Sequence, residues 1–288
     1  MKRINIYCNE DKLQKMGWKQ TEITIDYEGK QYFISAGPQC LHQPFDIFYG
    51  KPPTNQRYIV QQYKENNPGS IIIDEFEAID AMKSRSAIGE ILEKNNIPQP
   101  FSKTVRSYEE MKSILENNSE LKCPFIVKTI QAQGSYESHD MKIIKNIKAF
   151  EKVSYPCFVQ QFINHNGSLE KVFIIGNEII MTEIQKSVGN ISIENDESEG
   201  MIEFNNGNRK NELFENQQPI EIVERETLKQ FASDICNAFQ LQFLGFDLIR
   251  ENGNGKPYII DVNHFPSYQK KISVQRFGEY LIELAKKL

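Results

Sequence analysis

Two short stretches of the 288-residue chain place acidic groups where apolar ones are expected. Gly245-Phe246-Asp247-Leu248-Ile249 and Ile259-Ile260-Asp261-Val262-Asn263 both read as strands. Each carries an aspartate inside an otherwise apolar run. The turn signal Glu251-Asn252-Gly253-Asn254-Gly255 joins them, so they should be neighbours. Side chains alternate along a strand, so Asp261 and Asn263 point to one face. Two carboxylates and one amide oxygen form a hard, oxygen-only set that suits Mg²⁺ carried in by a nucleotide. A buried carboxylate lacking a cation or donors would be costly. The plainer alternative is a pair of aspartates satisfied by nearby turn N–H groups.

A second candidate is Pro124-Phe125-Ile126-Val127-Lys128, a buried-strand pattern ending in lysine. The loop that follows carries Gly134, Ser135 and His139. Backbone N–H groups of such a loop could cover a polyphosphate, with Lys128 as a point charge. A lysine ending a strand can also simply extend to water. A third candidate is Gln160-Gln161-Phe162-Ile163-Asn164-His165-Asn166-Gly167, a strand running into an Asn-Gly turn. Backbone at a strand exit can pair with the edge of an adenine. Lys171 follows on the next strand, toward the same cleft.

The elements that must position these groups fall into three blocks. The first third alternates strands (Arg3–Cys8, Glu22–Asp26, Gln31–Ser35, Asp46–Tyr49, Ser70–Ile73) with a helix over Asn55–Asn66. The β-branched run Ile71-Ile72-Ile73 fits a buried strand of a mostly parallel sheet. Helices are predicted over Ser84–Asn95 and Ser107–Asn117, the second with a Ser107/Glu110 capping pattern. Strands Pro124–Lys128, Met141–Ile144 and Cys157–Ile163 complete a central unit. The last third is antiparallel in pattern: a hairpin over Lys171–Gly176 and Glu178–Lys186, then the two aspartate-bearing strands. Residues 188–219, rich in Asn, Glu, Asp and Gly, read as a long mobile loop with a strand at Met201–Phe204. Glu224–Gln240 should be an amphipathic helix with Leu228, Phe231, Ile235 and Phe239 on its core face, and Val274–Lys287 a final helix.

Composition excludes several classes. With 39% hydrophobic and 25% charged residues the chain has an ordinary globular balance. Its net charge of -5 argues against nucleic acid or an anionic membrane as main partner, because both favour a basic footprint. No apolar run has the length of a membrane helix, and the N-terminus lacks a signal-peptide core. The five scattered cysteines form no C-x-x-C and read as reduced packing thiols of a cytoplasmic protein, not a zinc site.

These segments, in this order, resemble the inositol 1,3,4-trisphosphate 5/6-kinase family of ATP-grasp proteins. The resemblance is carried by Ser84-Arg85-Ser86, Pro124–Lys128, Gly134 to Met141, Gln161–Asn166, Lys171-Val172-Phe173, Gly245-Phe246-Asp247 and Asp261-Val262-Asn263-His264-Phe265-Pro266. It implies an α/β (α+β) ATP-grasp architecture: an N-terminal Rossmann-like α/β domain over 1–85, and two α+β subdomains over 86–161 and 162–288. It implies an ATP-dependent inositol polyphosphate kinase, acting on a hydroxyl of inositol 1,3,4-trisphosphate at position 5 or 6 and also on inositol 3,4,5,6-tetrakisphosphate at position 1. ATP, Mg²⁺ and a small inositol phosphate would be its ligands, and a monomer is the family default.

By matching positions, the resemblance implies that Arg85 and Lys128 meet ATP phosphates. Gln160, Gln161, Phe162 and Ile163, running on to Lys171, form the adenine hinge and its exit, and Ser187 contacts the nucleotide. Asp247, Asp261 and Asn263 hold Mg²⁺. Substrate phosphates meet Lys12, Lys51, His139, Lys171, Asn263 and Ser267. Catalytic roles fall to Lys128, Asp261, Asn263 and His139, the last more as a cationic donor than a base. Three departures stand out: Gly50 precedes Lys51, Ser267 stands where many relatives have glycine, and Gln185 occupies a usual arginine position. Lys186, one residue along, would point to the opposite face. An ATP-grasp ligase working through an acyl phosphate, or a non-catalytic nucleotide or inositol phosphate binder, are the competing readings.

Overall fold

The computed structural model describes residues 1–132, 139–191, 200–206, 212–214 and 223–288. Among them the strands form three sheets. The first is mixed, in the order β2-β3-β1-β4-β5. It comprises β1 (Lys2–Tyr7), β2 (Glu22–Tyr27), β3 (Lys30–Ala36), β4 (Ile47–Gly50) and β5 (Ile71–Ile73). The pairs β3·β1, β1·β4 and β4·β5 are parallel, and β2 closes one edge as an antiparallel hairpin arm. The Ile71–Ile73 run is a buried-side parallel strand, as its β-branched composition requires.

Three helices accompany this sheet: α1 (Glu10–Met16), α2 (Arg57–Asn66) and α3 (Phe76–Ala81). Helix α1 has no long apolar period to announce it. Its ends are local: the Asn9 side chain accepts from the Lys12 amide at 2.9 Å, and Gly17 closes it at φ 71. Gly50, the residue before Lys51, has φ 144, and a Cβ there would stand 2.2 Å from the Tyr7 carbonyl oxygen. The close approach of β1 excludes any larger residue at this place.

The second sheet is antiparallel, in the order β12-β8-β7-β9-β6. Its members are β6 (Ser102–Val105), β7 (Phe125–Lys128), β8 (Asp140–Ile144), β9 (Cys157–Gln161) and β12 (Met201–Asn205). Strand β12 follows far behind in sequence, yet it pairs with β8 and so belongs to this sheet. Helices α4 (Arg85–Lys94) and α5 (Tyr108–Glu116) flank it. Ser107 caps α5, its hydroxyl accepting from the Glu110 amide at 3.2 Å. Of the predicted long loop over 188–219, residues 192–199, 207–211 and 215–219 lie outside the described residues, as do Gly134 and Ser135.

The third sheet, also antiparallel, runs β11-β10-β13-β14. It contains β10 (Ser168–Ile175), β11 (Glu178–Lys186), β13 (Phe243–Arg250) and β14 (Pro257–His264). Helix α6 (Arg225–Phe239) buries Leu228, Phe231, Ile235 and Phe239, the face its period predicts. Helix α7 (Val274–Ala285) packs against β3, β4 and β5 of the first sheet. Gly278 lets it approach; a Cβ there would lie 2.2 Å from Ile34 Cδ1. One buried cluster therefore joins β1, β3 and β4 to β10, β13 and α7, with Tyr49 against Phe243 at 4.3 Å between ring centres. Among the described residues no helix is long and apolar enough to cross a membrane.

Candidate active site

Strand register alone assembles the acidic part of the site. Lys171 on β10 lies opposite Asp247 on β13, and Asp247 lies opposite Asp261 on β14. Gly245 faces Asn263, the next residue on that side of β14. Two carboxylates directly across a strand pair repel each other. The neighbourhood offsets this with cations. Lys171 Nζ pairs with Asp247 Oδ1 at 2.8 Å, both side chains largely buried. Asn263 Nδ2 donates to Asp261 Oδ2 at 2.9 Å, aligning the carboxamide with the carboxylate.

The central sheet supplies the facing cations. Lys128 ends β7 and is 8% exposed. Its Nζ donates to Gln160 Oε1 on β9 at 2.8 Å. Burial, and then the Arg85 charge, push its pKa down to about 8, while Asp261 and Asp247 pull it up. Arg85 begins α4 and fastens the helix start to the chain just beyond Lys128. Its guanidinium donates to the carbonyls of Thr129 and Gln131, each at 2.6 Å, and its amide to the Ile130 carbonyl at 2.9 Å. Burial lowers the Arg85 pKa and Asp261 opposes the shift.

Between the second and third sheets lies a cleft with an apolar floor (Ile126, Phe162, Leu169, Ile249) and polar walls. Arg85, Lys128, Gln160, Gln161, Ile163 and Ser187 line it, with Asp247 and Asp261 at one end. All the sequence-predicted nucleotide contacts except Lys171 meet here. His165 also lines it and was not singled out by the sequence. It is nearly buried between the Ile163 carbonyl, 2.5 Å from Nδ1, and the Ser187 hydroxyl, 2.8 Å from Nε2. Burial lowers its pKa, which favours the neutral ring. Donation from Nδ1 to the carbonyl then leaves Nε2 to accept the Ser187 proton, fixing that hydroxyl's orientation.

A second cleft opens on the other side of the aspartates, toward the first sheet. Lys12, His139, Lys171, Asn263 and Ser267 line it together with Arg85, Asp247 and Asp261. Lys171 thus belongs with the predicted substrate contacts. Lys12 Nζ donates to the Phe265 carbonyl and sits 4.4 Å above the Phe265 ring. Burial foremost, with Lys15 and Lys51 adding to it, lowers its pKa to about 8. His139 is exposed, and its carbonyl accepts the Asn206 amide at 2.9 Å. Lys51 does not line either cleft. It stands behind Lys12, close enough to lower the Lys12 and His264 pKa values, and is itself depressed by burial, Lys83 and Arg57.

Gln185 lines the second cleft, whereas Lys186 is exposed and lines neither. The alternation along β11 therefore gives the arginine position to the glutamine. Sequence reasoning missed Lys15 and Asn206, which also line this cleft. Lys15 follows Lys12 by nearly one helical turn, a signal visible once α1 is recognised. Asn206 has no such signal, since it follows an edge strand in a polar stretch.

The oxygen set can be judged for a divalent cation from its chemistry. Asp247, Asp261 and Asn263 offer oxygens from adjacent strands on one face. No cluster of three or more His, Cys, Asp or Glu side chains with metal-ligand geometry occurs among the described residues. Two carboxylates and a carboxamide suit a hard ion such as Mg²⁺, which completes its shell with phosphate oxygens and water.

This arrangement of a mixed sheet followed by two antiparallel sheets gripping a cleft defines the ATP-grasp fold. D-alanine–D-alanine ligase from Bacillus anthracis superposes with a TM-score of 0.59 over 100% of this chain and 98% of its own, at 14% identity. The ATP-grasp ligase PsnB complexed with minimal precursor, Mg and ADP superposes at 0.55 over 98% of each chain, at 13% identity. At such identities the likeness is one of fold. Sequence comparison resolves the class further. Residues 92–284 match the model of the inositol 1,3,4-trisphosphate 5/6-kinase ATP-grasp domain. Inositol-tetrakisphosphate 1-kinase from Xenopus laevis is 30% identical over 93% of this chain and 72% of its own length. Inositol-tetrakisphosphate 1-kinase 1 from Arabidopsis thaliana is 28% identical over 82% of this chain and 77% of its own. The chain belongs to the inositol 1,3,4-trisphosphate 5/6-kinase family.

Proposed function

We propose that this member of the family transfers the γ-phosphate of ATP to an inositol polyphosphate, with inositol 1,3,4-trisphosphate (positions 5 and 6) and inositol 3,4,5,6-tetrakisphosphate (position 1) as acceptors. The observation that carries the reading is the second cleft. It places Lys12, Lys15, Lys171 and His139 around an opening whose far wall is the Asp247–Asp261–Asn263 row. Three lysines and a histidine facing this space suit an acceptor that carries several phosphates.

In this reading the adenine lies in the first cleft against the Gln160–Ile163 backbone, and Ser187, oriented by His165, contacts the nucleotide. Lys128 and Arg85 neutralise the polyphosphate. Asp247, Asp261 and Asn263 would hold Mg²⁺, which would supply charge neutralisation at the transferring phosphoryl group. Lys12, Lys171, His139 and Ser267 fix the acceptor through its phosphates, so that one hydroxyl faces the γ-phosphate in line; Lys51 reinforces the positive field from behind. Positioning and charge stabilisation are what phosphoryl transfer chiefly requires. Gln185 can donate a neutral hydrogen bond where an arginine would place a charge, so turnover is expected to be slow relative to an enzyme with the arginine.

The test is anion-exchange analysis of products formed by the purified protein with Mg-ATP and a panel of inositol phosphates. New, more highly phosphorylated peaks from either named acceptor are expected. ATP binding without any phosphorylated product would move the ligase and binding-protein readings ahead.

A further inference from the structure

A buried carboxylate outside both clefts holds the corner from which the acceptor side is built. Asp74 follows β5 with φ 64, the left-handed region that Asp and Asn tolerate better than most residues. Its side chain is fully buried, 0% exposed. Oδ1 accepts the Gln242 amide at 2.6 Å, and Oδ2 accepts the Phe243 amide at 3.3 Å. Oδ2 also lies 3.0 Å from His264 Nε2, which is 3.4 Å from the Tyr49 hydroxyl. His264 Nδ1 has no hydrogen-bond partner among the described residues, so Asp74 is what orients the ring.

These contacts converge on one place. Gln242 and Phe243 are where β13 begins, and His264 is where β14 ends, opposite Leu244. The Phe265 amide donates to the Phe243 carbonyl at 2.8 Å, after which Phe265 turns through φ 50. Its carbonyl then receives Lys12 Nζ. Asn263 stands immediately before His264. A carboxylate on the first sheet thus fixes the third sheet at the point where it presents Asn263 on one side and the anchor of Lys12 on the other.

We propose that Asp74, acting through His264 and the Gln242–Phe243 amides, is a positioning residue for the acceptor half of the site. It sets Asn263 and the Phe265 carbonyl that holds Lys12, and leaves the part of the nucleotide cleft built on β7, β9 and α4 untouched. The acceptor part of this statement rests on the reading given under Proposed function.

The test uses Asp74→Asn and Asp74→Gly. Both residues accept a positive φ, so the backbone turn is retained while the carboxylate is lost. Ile34→Val, in the core of the same sheet, serves as a control for mild destabilisation. Thermal unfolding shows which variants are folded at the assay temperature. Calorimetry measures binding of an ATP analogue without Mg²⁺, and of inositol 1,3,4-trisphosphate to the protein saturated with the analogue and Mg²⁺. In both Asp74 variants the trisphosphate affinity should fall at least tenfold, with Mg²⁺-free nucleotide affinity within threefold of the parent and the control unchanged in both. Equal losses for the two ligands, or trisphosphate affinity within twofold, would overturn the proposal.

A second readout needs no acceptor. Acylation of Lys12 by a small amine-reactive acyl donor such as acetic anhydride, which releases acetate, followed by mass spectrometry, should be at least fivefold faster in Asp74→Asn than in the parent or in Ile34→Val. An unchanged rate overturns the positioning of Lys12. Faster acylation in a protein whose parent form binds no inositol phosphate would uphold the clamp and refute the acceptor assignment.

Discussion

Lys128, proposed above to neutralise the nucleotide's phosphates, is expected to weaken the folded protein. Burial lowers its pKa from 10.5 to about 8, a difference of about 2.5 units, which at about 1.4 kcal/mol each amounts to roughly 3 kcal/mol of cost for keeping it charged in the folded state. The sign follows from proton binding: between pH 8 and 10.5 the unfolded chain holds a proton at this site that the folded chain has released. The cost is complete below pH 8 and fades as pH rises toward 10.5. Lys128→Met removes the charge but strips Gln160 of its 2.8 Å donor, a loss of about 1 kcal/mol. The variant should therefore be more stable than the parent at pH 7 by about 2 kcal/mol, with the gain close to zero at pH 10. Its nucleotide affinity should fall about 10- to 100-fold, the worth of a charge-assisted bond to phosphate. Urea unfolding at pH 7 and pH 10, beside nucleotide titrations, measures all three quantities. A less stable variant at pH 7, or a gain of equal size at both pH values, would refute the reasoning.

Two further outcomes are expected. Asp261→Asn keeps the hydrogen bond available to Asn263 but removes one of two anionic oxygen donors, so turnover should fall at least about 1000-fold with thermal stability within about 1 kcal/mol of the parent; a rate within tenfold would remove Asp261 from the metal-binding set. Lys12, with its pKa lowered to about 8 by burial, loses charge above that pH, so the acceptor KM at saturating ATP should rise severalfold from pH 7 to pH 9. Lys12→Arg keeps its charge throughout and should flatten that profile; a parallel rise in both proteins would assign the dependence to another group.

Much of the arrangement around Asp247 and Asp261 was legible in the sequence because strand periodicity is local. Asp247 and Asp261 sit in runs whose turn dictates their pairing, and alternation alone put Asn263 beside Asp261. The same rule separated Gln185 from Lys186. Elements of low local signal escaped. Helix α1 is two turns long, α3 is shorter still, and β6 (Ser102–Val105) is a polar edge strand whose existence depends on β9 beside it. Strand β10 begins at Ser168, three residues before the predicted start at Lys171, because β11 pairs with Ser168 and Leu169. Strand β12 could be located in the sequence but not assigned to a sheet, since its pairing with β8 spans a long stretch of chain. Asp74 and His264 were invisible as a pair for the same reason: nothing near either residue announces the other. The clefts themselves arise between sheets, and spacing within one segment carries no information about that.

Helix α7 imposes an order on biosynthesis. The strands β3, β4 and β5 that it covers leave the ribosome long before it does, so the apolar face of the first sheet stays bare while the two gripping sheets are being made. The first sheet emerges before the two gripping sheets and is finished after them. During that interval a nascent chain presents Ile34 and its neighbours to whatever chaperone attends the exit tunnel. Arrival of α7 is then the event that covers the first sheet.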